Sequence, residues 1–322
     1  MNGAAARSKL LYVPCSEWPG ANRRSLRAAA VPVHGRDHGQ RLRRILITWL
    51  IAFVPAAAAS EAQVSTDLVT ELRAFAEREP EAAAAIGTRI RLNETGGRES
   101  WLITWLPGER HLSLGIGHFI WYPEGREGPF RESFQDVLEF LRARNHPLPP
   151  WLTPGSPCPW EDRESFLAAN HDPRLDDLRT FIETTIGAQT RFLIERLARS
   201  IPDLLAAVSD DERPRMAARL ERLLRPEGII DPNGVYALVD YVNFKGEGLD
   251  SRERYQGEGW GLLQVLQDMA EAEGEGRLLE FSESAARVLA RRVVLSPPER
   301  HEARWLPGWR VRVATYAHGL SP

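Results

Sequence analysis

The sequence predicts a mainly α protein, an α+β chain of many helices with one small β-hairpin, and three observations predict it. Apolar residues recur at helical spacing over most of the chain beyond residue 64. Helix stop and start signals punctuate those stretches, among them Gly96-Gly97 and Ser296-Pro297-Pro298-Glu299. One section near residue 100 instead carries short β-prone runs around a turn.

The chain has 322 residues. Residues 1–40 are Arg- and Ala-rich without periodicity and read as a disordered leader or an over-long start. Residues 41–59 read as a signal peptide. Arg41, Arg43 and Arg44 form its basic end, Ile45 to Phe53 its apolar core, and Ala57-Ala58-Ala59 its cleavage site. The apolar core is shorter than the roughly 20 residues that span a bilayer. The expected location is therefore periplasmic or secreted, with the membrane met only transiently during export; a single N-terminal anchor is the alternative. Residues 60–322 then form one mainly helical domain, with 146–160 a candidate division into two subdomains.

Without the first 59 residues, the 41 Lys/Arg lose 9 and the 44 Asp/Glu lose 2, leaving 32 against 42 and a net charge near −10. That balance disfavours a nucleic-acid partner, which calls for a basic stripe. Cys158 alone remains of the two cysteines, so no internal disulfide is expected.

Leu68, Leu72 and Phe75 place a first helix over Ser65 to Arg78, and Pro80 starts a second that runs to Glu94. Ser100 to Trp105 and His111 to Ile116 then read as a hairpin around Leu106 to Arg110. Phe134, Val137, Leu138 and Leu141 mark a third helix, and a Pro-rich loop fills His146 to Pro159. Three or four amphipathic helices follow over Asp162 to Arg225. Val235 to Val242 marks another that stops at Gly246, with further helices over Trp260 to Met269 and Leu278 to Val293. The Ser296 capping box opens the last helical segment.

The densest chemical signal is Asn93-Glu94-Thr95-Gly96-Gly97, the hairpin, and Ser113-Leu114-Gly115-Ile116-Gly117-His118. Glu94 falls at the negative end of its helix beside Trp101, Trp105 and Trp121, a setting expected to raise its pKa. A carboxylic acid kept protonated is what a glycosidase uses to protonate a leaving oxygen.

A helix ending in Glu, then a hairpin, then Ser-x-Gly-x-Gly-His resembles the N-terminal part of phage-type lysozymes, over about 25 residues. The resemblance implies a lysozyme-like helical domain with extra helices. It implies Glu94 as general acid, Ser113 in place of a water-managing Thr, and His118 as a structural member of the motif. The Asp of the family's hairpin has no counterpart, the nearest acidic group being Glu109 in the turn.

A second constellation runs from Asp240 through Asn243, Lys245, Gly246, Glu247 and Gly248, then Gly257, Glu258, Gly259, Trp260, Gly261 and Gln264. Lys245 is the one lysine beyond residue 59 in a chain that otherwise uses Arg, which suggests a need for a compact ammonium. The glycines suggest backbone that approaches a ligand closely. Gly261-Leu262-Leu263-Gln264 is similar to the Gly-Leu-Met-Gln segment of lytic transglycosylases. Glu109, Glu247 and Glu258 are candidate second carboxylates; His118, Trp121, Asn243, Lys245, Glu258, Trp260 and Gln264 are candidate substrate contacts, flat indoles suiting sugar faces.

His111, His118, Glu94 and Glu99 lack a metal-binding spacing, and no nucleophile elbow or phosphate loop occurs, so neither metal nor cofactor is expected. Two functions remain. One is an enzyme cleaving the glycan strands of peptidoglycan. The other is a non-catalytic envelope protein that binds glycan or a protein partner through a lysozyme-like groove. Catalysis requires Glu94 in a cleft with a second carboxylate about 5–5.5 Å or about 6.5–9.5 Å away.

Overall fold

The structure is a computed structural model that describes residues 56–98, 101–128, 130–270 and 276–320. It is mainly α with a small antiparallel sheet. The leader and all but the last residues of the expected signal peptide lie outside the described residues.

Helix α1 (Ala56–Arg78) begins earlier than the expected Ser65, and buries Leu68, Leu72 and Phe75 as the spacing predicts. Helix α2 (Pro80–Thr95) has Pro at its start and stops at Gly96, whose φ of 58° is the left-handed turn that closes a helix. The hairpin is a three-stranded meander: β1 (Ile103–Thr104), β2 (Leu112–Leu114) and β3 (Phe119–Trp121). Ser113 pairs with Thr104 on one side and Ile120 on the other. The third strand, β3, escapes sequence reading because three residues are too few to display an alternation.

Helix α3 (Phe134–Ala143) follows. The Pro-rich stretch after it packs on the sheet: Cys158 N–H donates to Tyr122 O, and Leu152, Cys158 and Trp160 join the core. Four helices then span the expected region: α4 (Arg163–Ala168), α5 (Pro173–Thr184), α6 (Ile186–Ala206) and α7 (Arg213–Leu224). Helix α6 is the axis of the molecule, touching α1, α2, α3, α5, α7 and α8 (Pro232–Lys245). Gly234 lets α8 cross α7 closely, since a Cβ there would lie 1.8 Å from Leu223 O.

A two-stranded ribbon, β4 (Arg254–Tyr255) with β5 (Glu258–Gly259), interrupts the late Gly-rich segment, an element too short to carry a periodic signal. Helices α9 (Leu262–Asp268) and α10 (Gly276–Leu295) come next. The Ser296 capping box does not form: Ser296 Oγ donates back to Val293 O, and two 3-10 turns lead into α11 (Leu306–His318). The core is one continuous cluster running from Leu68 to Tyr316.

Candidate functional site

Three helices each turn a charged side chain onto their apolar face. On α2, Glu94 continues the buried row of Ala83, Ile86, Gly87 and Ile90. On α8, Asp240 lies between Tyr236 and Phe244 at i+4 spacing, and on α11, Arg312 lies between Trp309 and Tyr316. Burying such groups is costly unless they pair. They do pair. Arg312 Nη2 donates to Glu94 Oε1 at 2.5 Å and to Asp240 Oδ1 at 2.9 Å, while its Nε donates to Asp240 Oδ2 at 2.9 Å. The Tyr316 hydroxyl also donates to Asp240 Oδ2, at 2.7 Å. Glu94 and Asp240 are fully buried, and Arg312 is 8% exposed.

Glu94 has two unlike oxygens. Oε1 accepts from Arg312 and, at 3.0 Å, from Asn243 Nδ2. Oε2 accepts no hydrogen bond and lies 3.6 Å from His118 Nδ1, which is likewise buried and without a hydrogen bond. The other imidazole nitrogen, Nε2, is 3.2 Å from Trp101 O and must carry hydrogen to bond a carbonyl. Ser113 Oγ, on β2, is a third buried polar atom with no hydrogen bond.

The expectation of a raised Glu94 pKa is reversed. Burial does push the carboxyl up, but the charges of Arg312 and His118 and the hydrogen bonds from Arg312 and Asn243 bring it below the usual carboxylate value. Burial pushes His118 down, against the pull of Glu94's charge.

The turn that presents His118 is held from α6. Gln189 is fully buried; its Oε1 accepts from Ile116 N–H at 3.0 Å, and its Nε2 donates to Ile182 O and Thr185 Oγ1. A side chain at Gly115 would meet that same Oε1 at 2.2 Å, and one at Gly117 would meet the Phe119 ring at 2.4 Å. His118 itself has φ of 44°, a strained left-handed backbone for a residue with a Cβ.

The early and late motifs therefore meet, through Asn243 to Glu94 and through Arg312 to Asp240. Several expected site residues lie elsewhere. Glu109 Oε2 faces His111 Nε2 at 3.5 Å. Glu247 is clamped bidentately by Arg196 at 2.7 and 3.1 Å, which overcomes burial and lowers its pKa. Glu258 is exposed, 3.9 Å from Arg291. Trp121 is wholly buried beside Trp151 with its Nε1 donating to Ser156 O, so its ring serves the core and not a sugar face. Trp260 is 4% exposed under the Arg292 guanidinium.

Gln264 accepts from Gly261 N–H and donates to Gly248 O; Gly248 and Gly259 press against its side chain and Gly261 against the Gly248 backbone, so these glycines allow close packing of the chain on itself. Lys245 Nζ sits 3.9 Å from the Phe244 ring centre and 3.8 Å from that of Trp309, which explains a compact ammonium there.

Sequence reading missed Arg312 and gave Asp240 no role beyond opening the second constellation, although each stands out as a charge on an apolar helical stripe. It also missed Glu253, beside Gly246, whose carboxyl is pushed up by burial and by Glu247 and Asp250. No group of three or more His, Cys, Asp or Glu suited to a metal occurs among the described residues. A groove of about 260 Å³ is lined by Leu102, Ile103, Phe166, Leu175 and Ile182, with Arg179 and Glu183 as its charged residues.

Glu94 Oε2 can take or give a proton while Oε1 stays anchored. Comparison with protein-family models, curated proteins and solved structures finds no match.

Proposed function

We propose that the chain is a lysozyme-like enzyme that cleaves the glycan strands of peptidoglycan outside the inner membrane, with Glu94 handling the proton. The observation that carries this reading is the asymmetry of the Glu94 carboxylate. Arg312 and Asn243 fix Oε1, and Oε2 is left beside His118 without a hydrogen bond. Buried ionisable groups with shifted pKa values gather at catalytic centres, where their cost is offset by function. In this reading Glu94 protonates the glycosidic oxygen, and Ser113 Oγ orients the attacking water. Glu109 faces His111, Glu247 is held by Arg196, Glu258 is exposed beside Arg291, and Asp240 is tied up by Arg312 and Tyr316. With Asp240 engaged in this way, participation of the substrate's own acetamido group is favoured, and with it a 1,6-anhydro product.

A second reading has its own support. Glu94 is fully buried and held ionised, and it does not line the groove beside Leu102. Those facts favour a non-catalytic envelope protein that binds glycan or a protein partner. Mass spectrometry of the fragments released from purified peptidoglycan separates the two. Soluble 1,6-anhydro or reducing-end muropeptides support the enzyme. Protein that sediments with intact glycan and releases nothing supports the binder.

A further inference from the structure

We propose that His118 is the residue that loads Glu94 with its proton, taking it up at Nδ1 and passing it to Glu94 Oε2 before delivery; the inference rests on the glycan-cleaving reading above. The Trp101 carbonyl fixes the hydrogen of His118 on Nε2, so in the neutral ring Nδ1 presents a bare lone pair. That lone pair faces a bare carboxylate oxygen at 3.6 Å, both atoms sealed from solvent. Two acceptors in that position repel, and leaving both unsatisfied is costly. A single proton taken up by either atom turns that repulsion into attraction, and the 3.6 Å gap has to close by a few tenths of an ångström for the proton to be shared.

Among the described residues, the charged and amide side chains packed on Glu94 donate to atoms other than Oε2. From α8, Asn243 donates to Oε1; from α11, Arg312 donates to Oε1 and to Asp240, and Tyr316 donates to Asp240. Burial and the charge of Arg312 oppose a proton on His118, the charge of Glu94 favours it, and His118 in turn acts through its charge on His111 beside β2. The left-handed backbone of His118 and the Gln189 clamp on its turn hold the ring in place. Burial sets the pair's uptake on the acid side of histidine's ordinary value. Glu94 and His118 then titrate as a unit.

Oε2 is closed to solvent in this structure and has to be uncovered for substrate; the loaded pair then gives its proton through Oε2 to the glycosidic oxygen as the C–O bond breaks, the bonding electrons going to that oxygen. The pair is left as carboxylate and neutral imidazole. Water adds to the sugar carbon, or the sugar's own hydroxyl closes on it, and the proton released returns to the pair.

The test is a pH titration of the full chain labelled with 15N-histidine and 13C-glutamate, beside Glu94→Gln and His118→Gln. The expected result is one step, on the acid side, in which the His118 ring and the Glu94 carboxyl shift together. That step disappears in Glu94→Gln, whose amide donates to Nδ1 without a proton. On glycan, His118→Gln is expected to lose the acid-side rise in rate and to fall roughly 100-fold at its optimum. A His118 ring that titrates while the Glu94 carboxyl stays unmoved overturns the proposal, as does wild-type rate behaviour in His118→Gln. A shared step in a chain that cleaves no glycan supports the proton pair and refutes only the enzyme reading. Should His118→Gln fail to fold, the near-isosteric Glu94→Gln spectra decide alone.

Discussion

Arg312 and Glu94, 218 residues apart in the chain, share a buried hydrogen bond of 2.5 Å, and the same guanidinium grips Asp240. One cation from the last helix thus ties together the second and eighth helices. The Phe244 ring lies 4.2 Å below its carbon. Burial alone would strip the guanidinium of its proton more easily, but Asp240 and Glu94 raise its pKa well above the ordinary arginine value. Removing Arg312 leaves two carboxylates buried without their cation. Arg312→Leu is expected to destabilise the fold by about 3–5 kcal/mol. Adding Glu94→Gln to it is expected to cost less than the sum of the two single changes, because the residues share one network. Urea denaturation of the two singles and the double checks this.

Glu253 yields a prediction of the opposite sign. Its carboxyl pKa is raised by burial and by the nearby charges of Glu247 and Asp250. The folded chain therefore holds this proton more tightly than the unfolded chain. Its contribution to stability is present below the unfolded value near 4.3 and is lost as pH rises through the folded value. Glu253→Gln keeps the shape without the charge and is expected to raise the melting temperature at neutral pH, while changing little in acid. An unchanged melting temperature at neutral pH would contradict the burial of this charge.

His111 gives the chain an acid sensitivity. Burial, helped by the charge of His118, lowers its pKa to about 4. The unfolded imidazole titrates near 6.5, so it binds a proton in a range where the folded one does not. Stability is therefore full above about pH 6.5 and falls as pH drops toward the folded value, by about 3 kcal/mol from this group alone. In His111→Phe that part of the slope is expected to vanish, read from denaturation midpoints across the same range. The replacement keeps the edge contacts that His111 makes with Tyr122 and Phe130.

Gly234→Ala tests the packing of α7 against α8. Its Cβ would lie 1.8 Å from the carbonyl oxygen of Leu223 and 2.8 Å from the carbonyl carbon. Both contacts are backbone, so no side chain can yield and the helices must part. A loss of about 3 kcal/mol or more in urea denaturation is expected.

The helices were legible in the sequence because each buries one stripe, and Leu68, Leu72 and Phe75 or Phe134, Val137 and Leu141 show the period directly. The β3 and β4–β5 strands were not, since two or three residues cannot display an alternation. At the site, Glu94, Ser113, His118 and Asn243 stood out through their motifs, and Glu94 and Asn243 do meet. What the motif could not reveal was the sign of the Glu94 pKa shift. That depends on Arg312, which arrives from the far end of the chain through tertiary packing alone. The late glycines invited a ligand-binding interpretation because close backbone approach looks the same in sequence whether a ligand or Gln264 fills the space.

The most direct measurement is the rate at which purified, insoluble peptidoglycan clears in the presence of the wild-type chain and of Glu94→Gln, with the melting temperature of each recorded. The account predicts clearing by the wild type and at least a 100-fold slower rate, on the order expected for loss of an acid catalyst, in a variant that remains folded. Clearing by folded Glu94→Gln at the wild-type rate, or no clearing by either protein, would contradict it.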